Sequence, residues 1–505
     1  MAMALMVLAL GLLSGCAAMA ATYYVDAEKG DDANDGLSTE SAWCGLDRVN
    51  ATQFQPGDRI LFKAGCAWTG QLWPKGSGQE GNPIAADSYG EGPKPTINGE
   101  GKTFEAVYLY NQHHWELSNL EVTNHSPDGP APRAGVRILG EDAGTLSHIH
   151  LSNLEVHDVN GHLHDGKDSG KCNAGILFDV VGGSVRTNFG DVLMEGCHIH
   201  ACDRGGIKTW TTWGRFGEAE WAPYTRLVIR GNALDDIGGD GIVACMADAP
   251  LIEHNVVSRC NARAGDWNVA IWVWECEDAV MQFNEAYLTQ TDQDGQGFDI
   301  DGMCRGTVVQ YNYSHDNEGG FILLCESGDP SPRRFNDQSV VRYNISQNDG
   351  ARIFQIGGKV TNADIYNNTI YIGEARGDPL VVWHNKDGIW PDHIHYRNNI
   401  FYNLGEGGYD LGDSTNNVFD HNAFYGNHPE SEPDDPHKLT EDPGLTDPGS
   451  GGVGRDSADG YKLEPDSPCI DSGVTIPDCG GRDYWGNPVP SGRGTDRGAH
   501  ERPQT

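Results

Sequence analysis

Basic residues are scarce in this chain: 35 Lys and Arg stand against 73 Asp and Glu, a formal net charge of −38 over 505 residues. So acidic a balance repels phosphate backbones and anionic lipid, which argues against nucleic acid and membrane surfaces as partners. It also counts against a polyanionic sugar, unless a local basic patch or a bound cation reverses the sign. Long apolar runs are few and 3.6-residue periodicity is almost absent, which argues against helical domains. None of the 13 cysteines forms a Cys-x-x-Cys pair, so structural zinc and dithiol redox chemistry lose their usual signature.

Glycine is plentiful, at 67 residues, and one phrase repeats. Fragments such as LVIRGNALDDIGGDGIVACM, VMQFNEAYLTQTDQDGQGFDIDGMC and VVQYNYSHDNEGGFILLC each give a short β-branched strand, an Asn, a second strand, a polar turn and a third strand. Asn232, Asn255, Asn284, Asn312, Asn344, Asn367, Asn398 and Asn422 recur every 23 to 32 residues. Units of that period cannot bury their apolar faces alone and must stack. The expected fold is all-β: a single-stranded right-handed parallel β-helix with N- and C-terminal caps. Residues 1–20 read as an export signal, 22–105 as the N-terminal cap and first strands, 106–427 as the β-helix and 428–505 as the C-terminal cap segment.

Leu5 to Leu13 is too short an apolar stretch to span a bilayer and is followed by small residues, the pattern of a bacterial export signal. Two cleavage readings compete, a lipobox ending at Cys16 and an ordinary peptidase site at Ala18-Met19-Ala20. The protein is therefore expected outside the cytoplasm: extracellular, periplasmic, or held at the cell envelope by a lipid on Cys16 alone. A monomer is expected. Export permits disulfides, and Cys44–Cys66 and Cys469–Cys479 are the expected bridges. Cys276, Cys304 and Cys325 follow strands of successive rungs and read as buried free thiols.

Registering the third strand of each rung on the small residue after the polar turn (Gly206, Gly241, Ala270, Gly297, Gly320, Ala351, Pro379) separates core from surface, because strand side chains alternate faces. Positions two and four are mostly apolar, with Arg352 the misfit. The outward position three carries Lys208, Trp272 and Asp299, and the outward position five carries Trp210, Trp274, Asp301, Leu324 and Trp383. Indoles beside carboxylates suit a carbohydrate: the C–H face of a sugar stacks on an aromatic ring while its hydroxyls bond to carboxylates. Two Asp at i and i+2 within a strand, where Asp is disfavoured, add to that reading.

Carboxylates on adjacent rungs stand about 5 Å apart, the separation of a retaining glycosidase. Asp301 is the candidate nucleophile and Glu326 the candidate acid. Asp299 and Asp316 are reserves for either role, and Glu275, Lys208 and the three tryptophans Trp210, Trp274 and Trp383 are candidate substrate contacts. No cofactor is required by this chemistry, and no metal set is assigned.

The stretch GFDIDGMCRGTVVQYNYSHDN resembles the catalytic rung of the glycoside hydrolase family 120 β-xylosidases, within the pectate-lyase-like superfamily of β-helix carbohydrate-active enzymes. That resemblance implies Asp301 as the nucleophile, while Leu324 occupies the place of the family's acid/base Glu. Family 141 shares only the architecture. The opening YYVDAEKGDDANDGLSTESAW and the closing LEPDSPCIDSG and GTDRGAHE resemble the caps of bacterial β-helix proteins.

Two alternatives remain open. A polysaccharide lyase would need a base such as Lys208, near Arg204, with Ca²⁺ held by carboxylates such as Asp165 and Asp168. A non-catalytic sugar-binding solenoid would use the tryptophans without paired carboxylates. His162 and His164 have metal-like spacing but read as a loop.

Overall fold

The computed structural model describes residues 20–503 except 130, 164–170, 172, 216–219, 265–266, 292 and 330. The readings that fall on Cys16, His164, Asp165 and Asp168 lie outside the described residues.

The chain is a right-handed parallel β-helix, the hand that crossovers between parallel strands adopt. Its strands fall into sheets of 17, 13 and 11 strands. The 11-stranded sheet collects the third strand of each rung in chain order, from Glu105–Tyr110 to Tyr409–Asp410. β-Branched and aromatic residues line the interior, with Ile207, Ile242, Ile271, Phe298, Ile322, Phe354 and Val382 stacked rung upon rung and fully buried.

The repeated Asn forms a ladder inside the turn between the 17- and 13-stranded sheets. Each Oδ1 accepts two bonds from the Asn of the preceding rung: Asn312 accepts from Asn284 N at 2.9 Å and Asn284 Nδ2 at 3.1 Å, and Asn344 does the same for Asn312 at 3.0 and 3.0 Å. Beyond Asn344 the ladder continues through Asn368 and Asn399, not through Asn367 and Asn398 as the spacing suggests. In each Asn-Asn pair the first residue takes the left-handed position just before the rung (φ 52° and 54°), which His254, Phe283 and Tyr311 fill elsewhere. Asn tolerates that conformation well, so the doubled residue hides which Asn bonds. The ladder ends at Asp435, whose Oδ2 accepts Asn422 N and Nδ2 at 2.8 and 2.9 Å.

The C-terminal segment then folds back along the flank of the helix. Leu445, Tyr461, Leu463, Cys469 and Ala499 pack against Tyr313, Ile345, Ile400 and Ala423 of the 13-stranded sheet.

Neither expected disulfide is present. All 11 described cysteines are free. Cys44 Sγ faces Ala27 O, Cys66 Sγ faces Asp26 Oδ1, and Cys469 is buried in the core of the C-terminal segment. Cys276 and Cys304 are fully buried, as small apolar residues would be.

Register departs from expectation at the rungs that follow Phe298. Phe298 pairs with Ile322, not Phe321, and Ile322 with Phe354. The turn residue preceding Gly320 is placed as Gly295 is, so aligning on the small residue shifts this rung by one and the next two rungs by two. Phe321, Ile353 and Val381 fill the interior place that Gly297 occupies one rung earlier. Arg352 is thereby relieved of the core: its guanidinium lies over the Trp383 ring at 5.6 Å and donates to Asp294 O at 3.2 Å.

Candidate active site

Two outward columns of the 11-stranded sheet make one face. The first runs Lys208, Val243, Trp272, Asp299, Leu323, Gln355, Trp383, and the second runs Trp210, Cys245, Trp274, then Asp301, Cys325, Gly357. Trp383 thus belongs to the Asp299 column and not to that of Trp274. Leu324, expected beside Asp301, is an interior residue with no exposed surface. Past Asp301 the second column falls from indoles to Cys and Gly.

The tryptophans form a wall. Trp210 and Trp274 stack across the Cys245 rung at 5.6 Å and 20°, and Trp272 is buried with its Nε1 donating to Asp240 Oδ1 at 2.9 Å. Lys171 reaches over this wall, with Nζ 3.6 Å from Asp240 Oδ2 and 5.3 Å from the Trp272 ring.

At the end of the wall lie three carboxylates in different states. Asp299 is 4 % exposed and its Oδ1 has no hydrogen-bond partner among the described residues. Burial, then the charges of Asp301 and Asp294, push it well above the ordinary carboxylate range. Burial also raises Asp301, but the N–H of Gly302 at 2.5 Å, the thiol of Cys325 at 3.2 Å and the charges of Lys171 and Arg334 favour its ionised form. Asp294, at the turn leading into the strand Gln296–Ile300, is pushed up to about 6 by burial and by the charge of Asp301. Asp294 was invisible to column alignment because it precedes the strand; the crowding of Asp292, Asp294, Asp299 and Asp301 within ten residues is the signal that marks it. Asn268, which bridges to Asp294, follows Trp267, a residue 64 % exposed.

Other expected residues lie elsewhere. Glu326 is buried and committed: Oε2 accepts Met303 N at 2.9 Å and Phe335 N at 3.1 Å, and Oε1 meets Arg334 Nε at 3.2 Å. It anchors a loop behind Gly302, and no proton-donating oxygen is left to face a sugar. Glu275 is fully buried under Gly214, where a methyl group would come within 2.3 Å of Oε2. Asp316 belongs to the turn after the 13-stranded sheet and bonds His315 Nδ1 at 2.9 Å. Lys208 is buried, 5.3 Å from the Trp210 ring and three rungs from Asp299.

No family model matches the chain. It is 29 % identical over 476 residues to the lacto-N-biosidase of Bifidobacterium longum subsp. longum, a match spanning 76 % of this chain and 29 % of that protein. The chain therefore corresponds to less than a third of that relative's length. Among solved structures it is similar to the GH136 lacto-N-biosidase of Eubacterium ramulus, with 28 % identity, a TM-score of 0.63 and coverage of 80 % of this chain and 67 % of that one. The complex of XylC with xylose shares the fold at 14 % identity and a TM-score of 0.54, covering 95 % and 98 % of the two chains. These similarities bear out the parallel β-helix fold.

Proposed function

We propose that this protein is an exported glycoside hydrolase acting on oligosaccharide, with lacto-N-biosides as its substrate class. The observation that carries the reading is the trio Asp294, Asp299 and Asp301, whose surroundings set three different proton affinities at the end of an indole wall. Two carboxyl groups held apart in proton affinity are what acid-assisted glycoside cleavage needs. Asp301, the carboxylate best stabilised as an anion, attacks the anomeric carbon. Asp294 gives its proton to the leaving oxygen and then takes one from the incoming water. Asp299, kept protonated, donates its O–H to a sugar hydroxyl. The substrate class is suggested by the names of the similar proteins from Bifidobacterium longum and Eubacterium ramulus.

Elimination is the weaker reading, since its base, Lys208, is buried and remote from the carboxylates. The test is turnover of p-nitrophenyl lacto-N-bioside and of lacto-N-biose-terminated oligosaccharides by wild type and Asp301→Asn. Hydrolysis by the wild type, with the variant slowed at least about 10³-fold, is the expected result. An unsaturated, ultraviolet-absorbing product would replace hydrolysis by elimination, and binding without turnover on any glycan would leave a sugar-binding solenoid.

A further inference from the structure

We propose that Glu116, His148 and His150 form a transition-metal site of the zinc class on the outer face of the 17-stranded sheet, with Asp191 as its supporting carboxylate. The site is independent of the carboxylate face, which lies on another sheet.

Its residues come from three neighbouring strands, Trp115–Ser118, Thr145–Ser152 and Asn188–Glu195. His150 pairs with Glu116 directly. His148 and Asp191 are passed over by the ladder, which steps from Ser147↔Gly190 to Ile149↔Val192. Both take left-handed backbone conformations, φ 59° and 61°. That kink re-aims the His148 ring, so residues two apart on one strand meet with ring centres 3.9 Å apart.

The hydrogen bonding of this group is over-committed to acceptors. His148 Nε2 lies 3.0 Å from Glu116 Oε1, and His148 Nδ1 lies 3.0 Å from Asp191 Oδ2. A neutral imidazole donates from only one nitrogen. His150 Nε2 is buried 3.5 Å from Asp191 Oδ1 and makes no hydrogen bond among the described residues. A second ring proton or a bound cation satisfies both contacts of His148, and the cation also gives His150 Nε2 a partner. With Nδ1–H donated to Asp191, His148 Nε2 becomes a lone-pair donor facing Glu116, the carboxylate–histidine–metal relay that orients ligand rings in metalloproteins.

One ligand atom each from Glu116, His148 and His150 already lie within 4.8 Å of one another. Tetrahedral zinc, with bonds of about 2.1 Å, holds its ligands about 3.4 Å apart, within reach of small side-chain rotations. Two imidazoles with one carboxylate suit zinc or a similar first-row ion better than calcium or magnesium, which take oxygen ligands. The chain's net charge of −38 raises the local concentration of any cation.

Two other His–carboxylate groups, Glu155/His198/His200 and Asp420/His421/His437, make stoichiometry the decisive readout. The full chain, stripped with chelator, is titrated with Zn²⁺ by calorimetry and in a thermal shift assay, as wild type, His150→Ala, Glu116→Gln and Asp191→Asn. Loss of one zinc equivalent in His150→Ala and in Glu116→Gln is expected, each retaining the wild-type circular dichroism spectrum without metal. Asp191→Asn should keep that equivalent at about 10- to 100-fold weaker affinity. Unchanged stoichiometry and affinity in both ligand variants, or no zinc bound by the wild type below about 100 μM, would overturn the assignment.

Discussion

The carboxylate face makes its sharpest prediction at Asp294. Raising a carboxylic acid from its ordinary value near 4 to about 6 means that burial and the charge of Asp301 disfavour its ionised form by about 3 kcal/mol. At mildly acidic pH, Asp294 therefore still carries a proton that it can give. The pair should give a bell-shaped kcat/KM profile, with activity falling as pH rises through about 6, because the acid must be protonated to donate. Asp294→Asn removes the transferable proton and keeps the shape. Turnover of an oligosaccharide, whose leaving group is a poorly acidic sugar hydroxyl, should drop about 10²- to 10⁴-fold. Turnover of the p-nitrophenyl glycoside, which needs little protonation, should drop far less, and the alkaline limb should vanish. Initial rates across pH 4 to 8 on both substrates, for both proteins, provide the assay. If Asp294→Asn keeps a limb near pH 6, or loses equally on the two substrates, Asp294 is not the acid.

Two further predictions concern stability. Asn312→Ala removes four side-chain hydrogen bonds, two accepted from Asn284, one donated to Met281 O at 2.9 Å and one to Asn344 at 3.0 Å. At about 1 kcal/mol net each, denaturant titration should show a loss of about 4 kcal/mol, and a loss below about 1 would refute the ladder's structural role. Burial opposes charge on His315, yet Asp316 and Glu285 push it up to about 9. Its contribution is thus fully present below about pH 6.5 and lost as pH rises through about 9, so His315→Gln should flatten the pH dependence of the unfolding midpoint across that window.

The sequence made the fold legible because stacked rungs impose one pattern many times, and a periodic core survives errors at single positions. The site was half legible. Asp299 and Asp301 stand out because carboxylates are rare in mid-strand, and Trp272 and Trp274 share their face. What failed was register across the turn before Gly320, where the small residue used as a marker sits one place earlier in its strand. That single step set Leu324 beside Asp301 in place of Cys325 and gave Glu326 a role that its bonds to Met303, Phe335 and Arg334 preclude. Asp294 escaped because it lies in a turn, where strand alternation says nothing. The absent disulfides show that closeness in sequence is a poor guide to sulfur geometry.

The ladder's last member has a consequence for assembly. Every Asn in it both receives from the rung before and gives to the rung after, so a row of them has no natural end and would template another rung. Asp435 accepts both donors of Asn422 on one oxygen, its other oxygen accepts the N–H groups of His421 and His437, and a carboxylate has no side-chain N–H to pass on. One oxygen-for-nitrogen exchange closes the row chemically, leaving the final turn unable to recruit a second molecule through this seam. Asp435→Asn would set an NH2 group against the N–H groups of His421 and His437, so the closure depends on an acceptor at both oxygens.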